Sequence, residues 1–366
     1  MPVDYMAQAL SLARLALGYT SPNPAVGAVV VKGGAVVGLG YTQPPGSRHA
    51  EIVALQQAEE RARGGSLFVT LEPCNYFGRT PSCVQAIIAA GIAEVHFSML
   101  DPNPLVSGEG RAELERGGIK TYVGEREEEA RELNEAYIKY ITTGIPFVTA
   151  KIAMSLDGKV ATRSGDSKWI SGDKVRQYSR NLRYSVDAIM VGVNTVLVDD
   201  PHLTARSFSD RGGKSRKQPL RVILDGKGRT PLTAQVFKEP GDTLLAVASS
   251  CAQEKEAAFV EGGAGVVFLP SKRGLVDLEA LLKNLRQREI TSVLVEGGGT
   301  LLGSFFDHKL VDKVVAFIAP VIIGGKEARS AVEGGGVEKV SEAFRLERVR
   351  IDSVEDNLLL QGYIRK

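Results

Sequence analysis

SLFVTLEPCNYFGRTPSCVQAIIAAGIAEVHFSM, residues 66–99, contains two apolar segments and a helix signal within one short stretch. Residues 66–71 read as a strand that runs into Glu72-Pro73-Cys74. Residues 82–90 then read as a short helix stopped by Gly91, and 94–99 as a second strand. A strand, a helix and a strand in this order predict a right-handed crossover between parallel strands.

The same reading extends outward. Upstream, PNPAVGAVVVKGGAVVGLGY predicts a β-hairpin of strands 26–32 and 35–41 about the Gly33-Gly34 turn. Residues 49–63 carry helical apolar spacing and stop at Gly64-Gly65, while the N-terminal MPVDYMAQALSLARLAL reads as an amphipathic helix. Downstream, residues 120–123 are extended and 125–140 form a charged helix before TTGIPFV breaks the pattern. A domain boundary is expected at 143–145, giving domains 1–144 and 145–366.

The second half alternates again. Strands are expected at 147–152, 188–191, 220–224, 243–247, 266–269, 292–295 and 314–318, which suggests a second α/β sheet of mostly buried strands. FRLERVRIDSVEDNLLLQGYIRK adds two strands about an Asp356-Asn357 turn, an antiparallel edge.

Composition narrows the class of function. A chain of 366 residues suits two domains with cores of their own. Lys plus Arg number 45 against 43 Asp plus Glu, without the basic excess of a protein that grips nucleic acid. No apolar run reaches the roughly 20 residues that span a bilayer, and the start does not read as a signal peptide, so a cytoplasmic place is expected. Three cysteines cannot build a disulfide framework and point to metal binding or reactivity. The basic loop 211–217 reads as a solvated surface.

Zinc that performs hydrolysis wants three protein ligands and an open position for water, whose pKa it lowers. His49 opens a predicted helix, Cys74 follows Pro73 at a strand end, and Cys83 opens the next helix. Glu51, beside the histidine, could take a proton from that water and deliver it to a ring nitrogen and then to departing ammonia. H-x-E followed by P-C-x-x-C marks zinc deaminases of the cytidine-deaminase kind. Here eight residues separate the cysteines. His96, His202, His308 and Cys251 lack such spacing and read as structural or surface residues.

TSPNPAVGAVVV, HAE, VTLEPC, FGRTPSC, DPNP, KIAMSLDGKVA, SKWISG, DAIMVGVNTVLVDDPHLTAR and VEGGGTLLGSF occur in order along the chain. With these motifs the chain resembles the bifunctional riboflavin-biosynthesis deaminase–reductases, whose cysteine spacing it shares. The resemblance implies a cytidine-deaminase-like three-layer α/β/α domain followed by a dihydrofolate-reductase-like α/β domain. It implies zinc on His49, Cys74 and Cys83, with Glu51 as proton shuttle and Asn23, Asp101 and Asn103 near the pyrimidine or ribose. Thr42 and Tyr76 stand where many members have histidine, at positions expected beside the ribosyl phosphate.

For the second domain the resemblance implies NADPH on Ala153, Trp169, Thr195, Asp199, Gly298, Gly299, Thr300, Leu301, Leu302, Gly303 and Ser304. It implies substrate contacts at Lys151, Ser167, Arg183, Leu203, Arg206 and Glu296, with Lys151 orienting the sugar. The glycine run 297–299 after a strand would let phosphate approach a helix N-terminus, although it is not the Rossmann G-x-G-x-x-G. The partners implied are pyrimidine ribosyl phosphates, with no nucleic acid or membrane, and a homo-oligomer. Two other readings stand beside this one: a nucleoside or nucleic-acid deaminase joined to a reductase-like binding domain, and a deaminase half turned scaffold.

Overall fold

The computed structural model describes residues 3–76, 82–104, 106–167, 170, 172–205, 217–250, 254–272 and 274–365. The chain divides into two compact units, Met1–Ile145 and Pro146–Lys366.

In the first unit α1 (Tyr5–Arg14) precedes the hairpin β1 (Gly27–Lys32) and β2 (Ala35–Tyr41). Then come α2 (Ala50–Ala58), β3 (Ser66–Val69), α3 (Cys83–Ala89), β4 (Glu94–Phe97), α4 (Glu109–Arg116) and β5 (Lys120–Val123). Helices α5 (Glu127–Leu133) and α6 (Glu135–Thr143) close the unit. The sheet order is β2-β1-β3-β4-β5. β1 is antiparallel to both its neighbours, and β3, β4 and β5 run parallel, as the strand-helix-strand reading required.

Strand periodicity produces three layers. On β1, Val29 and Val31 pack with Met6 and Ala9 of α1, while Ala28 and Val30 face a cluster containing Ala54 and Ala58 of α2 and Val84 and Ile87 of α3. Glycine sets how closely the helices approach. A Cβ at Gly27 would lie 1.9 Å from Ala9 O, and one at Gly40 would lie 2.1 Å from Ala50 O. Gly40 therefore seats the first turn of α2, which bears Glu51 and directly follows His49.

Two sequence expectations shift here. The single helix expected over 125–140 is two helices, divided at Asn134, which is 3% exposed. Its Oδ1 accepts from Ala25 N at 2.9 Å and its Nδ2 donates to Ala25 O at 3.1 Å, a tertiary anchor that outweighs helix continuation. Residues 109–116, left without an element, form α4.

The second unit begins with β6 (Phe147–Ser155), α7 (Asp173–Tyr184), β7 (Ala188–Gly192), α8 (Val193–Asp199), β8 (Leu220–Leu224) and β9 (Thr243–Ala248). It continues with α9 (Glu254–Glu261), β10 (Gly265–Leu269), the small hairpin β11 (Ser271–Lys272) and β12 (Leu275–Val276), and α10 (Leu278–Gln287). β13 (Ser292–Val295), α11 (Gly299–Asp307), β14 (Lys313–Ala319), β15 (Leu346–Val354) and β16 (Asn357–Ile364) complete it. Its nine-stranded sheet has the order β10-β9-β8-β7-β13-β6-β14-β16-β15. The strands from β10 to β14 are mutually parallel, and β16 and β15 form the antiparallel edge. The turn of that edge falls at Glu355-Asp356, because Asn357 already pairs with Val354.

The chain passes from β6 to β7, travels outward to β10, and returns with β13 between β7 and β6. Strand order reverses there, and such a reversal opens a crevice at the carboxyl ends of the strands. No helix among the described residues is long and apolar enough to cross a membrane.

Gly40→Ala is expected to destabilise the first unit by about 1–3 kcal/mol through overpacking. Calorimetric melting should show a transition several degrees lower, and metal content per chain should fall because the α2 terminus is displaced.

Candidate active sites

The ends of two helices meet in the first unit. His49 is the N-cap of α2 in extended geometry, and its ring makes no capping hydrogen bond. Nδ1 instead faces two sulfurs, Cys74 Sγ at 3.6 Å and Cys83 Sγ at 3.3 Å. Cys83 is the first residue of α3 and fully buried. The loop that brings Cys74 here is held by α3 itself: Val84 N and Ser82 Oγ both donate to Cys74 O, each at 3.2 Å.

The ligand atoms of His49, Cys74 and Cys83 all lie within 4.8 Å of one another. One imidazole nitrogen and two thiol sulfurs suit zinc and not an oxygen-seeking ion such as magnesium. Of the two thiols, Cys74 is held low, to about 4, chiefly by the hydrogen bond from Cys83, against the cost of burial. The Cys83 thiol is pushed up by the same contact and by burial. A cation binding both sulfurs displaces the proton they share.

Glu51 lies in the first turn of α2 and is 4% exposed. Burial raises its carboxyl above the ordinary range, against the opposing charge of His49. It is thus poised to hold a proton beside the three ligands.

Sequence reading did not single out Glu72, two residues before Cys74. Its buried carboxylate accepts from the backbone N–H groups of Asp101 (3.1 Å), Gly108 (2.9 Å) and Arg111 (2.9 Å). It thereby caps α4 and fixes the loop bearing Asp101 and Asn103. The signal was Gly108-x-Gly110: Gly108 has a left-handed φ of 85°, and a Cβ at Gly110 would meet Pro73 O at 2.1 Å. Asp101 Oδ1 accepts from Asn103 N and Tyr137 Oη, each at 2.9 Å. Burial raises the Asp101 carboxyl to about 6, although both those donors oppose the shift.

Asn23 is half-buried in the segment leading to β1. Thr42 is 5% exposed, and its hydroxyl oxygen accepts from Val26 N at 3.1 Å, so it is spent on the backbone at the base of the hairpin. Tyr76 is exposed, whereas Asn75 Oδ1 is buried and has no partner among the described residues. His96 belongs to neither site: it stacks between Phe68 and Tyr122 on the α1 face of the sheet.

The second unit has a cleft of about 1120 Å³ at its strand-order reversal. Lys151, Ala153, Ser167, Arg183, Thr195, Asp199, Leu203, Glu296, Gly298, Gly299, Thr300, Leu301, Leu302 and Ser304 all line it. Gly303 does not. A Cβ there would lie 2.1 Å from Glu333 O, so this glycine permits close helix-to-loop packing. Trp169, Arg206, Cys251 and loop residues 211–216 lie outside the described residues.

Glu296 follows β13 and meets two cations. Arg183 Nε and Nη2 donate to its two carboxylate oxygens at 2.7 and 3.0 Å, and Lys151 Nζ stands 3.8 Å away. Burial alone would raise the Glu296 carboxyl, but the Arg183 and Lys151 charges hold it below the ordinary range. Burial lowers the Lys151 ammonium, with Glu296 opposing. Leu203 lines the cleft with φ at 51°, and Asp200 just before it has φ at 39°, a strained turn of the kind found where a side chain must be aimed. Gly298 caps α11 with open space before its α-carbon, so an anionic group can approach the helix N-terminus. This cradle and the lined cleft fit a dinucleotide.

Likeness to known proteins runs the length of the chain. A family model described as the RibD C-terminal domain matches residues 146–360. One described as the cytidine and deoxycytidylate deaminase zinc-binding region matches residues 2–99. The riboflavin biosynthesis protein RibD of Aquifex aeolicus is 45% identical over 358 residues, 98% of this chain and 97% of its own. This chain belongs to the RibD family. Acinetobacter baumannii RibD superposes with a TM-score of 0.88 at 35% identity, covering 99% of this chain and 98% of that one. A Thermotoga maritima structure described as a diaminohydroxyphosphoribosylaminopyrimidine deaminase/5-amino-6-(5-phosphoribosylamino)uracil reductase gives 0.85 at 36% identity, with the same coverage. The fold is therefore the RibD pair, a deaminase-like sheet followed by a reductase sheet. The zinc-binding region of this RibD-family chain contains the His49, Cys74 and Cys83 cluster.

Glu72→Gln turns one carboxylate oxygen into a donor facing backbone donors. It is expected to cost about 1.5–3 kcal/mol, read by urea unfolding. Steady-state kinetics should show KM for the deaminase substrate rising more than kcat falls, since the three metal ligands stay in place.

Proposed function

We propose that the chain carries out two consecutive steps of riboflavin biosynthesis. The first unit deaminates diaminohydroxyphosphoribosylaminopyrimidine, and the second reduces the resulting 5-amino-6-(5-phosphoribosylamino)uracil to its ribityl product with NADPH. The observation that carries this reading is the His49, Cys74 and Cys83 cluster with buried Glu51 beside it, in a chain alike to RibD proteins over both units.

In the first unit His49 Nδ1, Cys74 Sγ and Cys83 Sγ would hold zinc. When bound, the ion would supply the Lewis acidity that activates a water molecule for attack. Glu51 would carry two protons in turn, the first from the attacking water to the ring nitrogen and the second from the new hydroxyl to the leaving amine, a carrier role suited by a burial that raises its carboxyl. Asp101 and Asn103, fixed through Glu72 and Tyr137, bind the pyrimidine or ribose, and Asn23 approaches from the segment before β1.

In the second unit the dinucleotide would lie against Ala153, Thr195, Asp199 and the first turn of α11, and it supplies the hydride. Lys151 orients the opened sugar, and Glu296 holds both Lys151 and Arg183 in place. Arg183 keeps its charge beside the substrate phosphate, and Ser167 and Leu203 complete the wall. Trp169 and Arg206 belong to the same reading by resemblance. The edge strand β15, with Val349 and Ile351 exposed, supports a homo-oligomer, which sedimentation at micromolar concentration would detect as mass above one chain.

Glu51→Gln is expected to lower ammonia release by roughly 10³-fold or more, while zinc content and NADPH oxidation on the deaminated intermediate stay at wild-type levels. A Glu51→Gln enzyme that still deaminates refutes the proton role. Activity confined to cytidine or single-stranded RNA refutes the substrate.

A further inference from the structure

The start of α11 is already met by an anion. The helix carries no acidic residue in its own first turn, and its N-cap Gly298 has no side chain to offer the N–H groups there. A carboxylate arrives instead from 33 positions downstream, where Glu333 Oε2 accepts from Thr300 Oγ1 at 2.7 Å. Glu333 is exposed and lines the cleft together with Gly298, Gly299 and Thr300. Among the described residues no lysine or arginine is ion-paired with it.

The segment that bears Glu333 is held on both sides. Val160 N donates to Arg329 O at 2.9 Å, Ala331 N to Gly158 O at 3.0 Å, and Glu333 N to Gly299 O at 3.0 Å. Beyond it, Gly335 N donates to Asp307 Oδ2 at 2.8 Å. Glycine leaves room for this approach, since a Cβ at Gly299 would lie 2.3 Å from Ser330 O and 2.8 Å from Glu333 Cγ. With the backbone fixed, the side chain of Glu333 is the part that can turn away.

A carboxylate at a helix N-terminus gains from the helix dipole, and a phosphate gains from the same end. The Thr300 hydroxyl has one proton to donate, so it serves one acceptor or the other. Two anions at one helix start also repel each other. We propose that Glu333 competes with the cofactor's diphosphate for the start of α11, and so weakens dinucleotide binding and speeds its release. The inference rests on reading this cleft as the dinucleotide site. On binding, the diphosphate takes the Thr300 hydroxyl and the helix end, and the Glu333 carboxylate turns into solvent.

Calorimetric titration with NADPH of the full chain and its Glu333→Gln and Glu333→Ala variants tests this without turnover. Glutamine keeps an oxygen for the Thr300 hydroxyl and removes only the charge. Both variants are expected to bind NADPH about tenfold more tightly than wild type. The gain should shrink in high salt, and stopped-flow displacement should show slower NADPH release. ADP-ribose, which carries the diphosphate without the nicotinamide, should gain by a similar factor. A residue that only packs the loop onto α11 predicts the opposite sign, because its loss loosens the cleft wall. Unchanged or weaker NADPH binding in both variants overturns the competition, as does a gain that high salt leaves intact. A gain for NADPH without one for ADP-ribose overturns the choice of the diphosphate. If wild type does not bind NADPH, the reading of the cleft falls as well.

Discussion

The carbonyl of Cys74 is the point from which the deaminase site is organised. Two donors from the start of α3, Val84 N and Ser82 Oγ, converge on it, so the first thiol is fixed to the helix that bears the second. His49 then needs only to arrive, and the close approach of α2 to β2 at Gly40 delivers it.

Around that point, buried polar groups serve as fasteners. Glu72 gathers three N–H groups from the loop after β4, Asn134 clamps Ala25 through both its amide atoms, and Tyr137 holds Asp101. Each is nearly inaccessible, and each would be costly if unmatched, so the loops they hold cannot drift apart singly. The reductase unit follows the same rule with charge in place of neutral donors. Glu296 is tolerated in its buried position because Arg183 engages both of its oxygens, and Lys151 adds a second cation.

Sequence pattern made the strands legible, because buried parallel strands are apolar runs and their register follows from packing. Both sheets were readable this way, as was the ligand trio, since His-x-Glu and Pro-Cys fall at strand-to-helix junctions. What escaped was tertiary in origin. α4 has a very polar composition and a glycine N-cap, and its cap is supplied by Glu72 from 36 residues away, which no local pattern reveals. The break at Asn134 likewise depends on Ala25, 109 positions earlier. Gly303, read within a cofactor-binding run, also lets α11 pack against Glu333 on a later loop, which no local pattern shows. Thr42 occupies a position expected near phosphate, yet its hydroxyl is consumed by Val26.

These misses share a direction. Short-range patterns identify groups able to do chemistry, and long-range hydrogen bonding decides which of them remain available. Thr42 and Asn75 illustrate the distinction: one hydroxyl is fully engaged by the backbone, while one buried amide oxygen has no partner among the described residues.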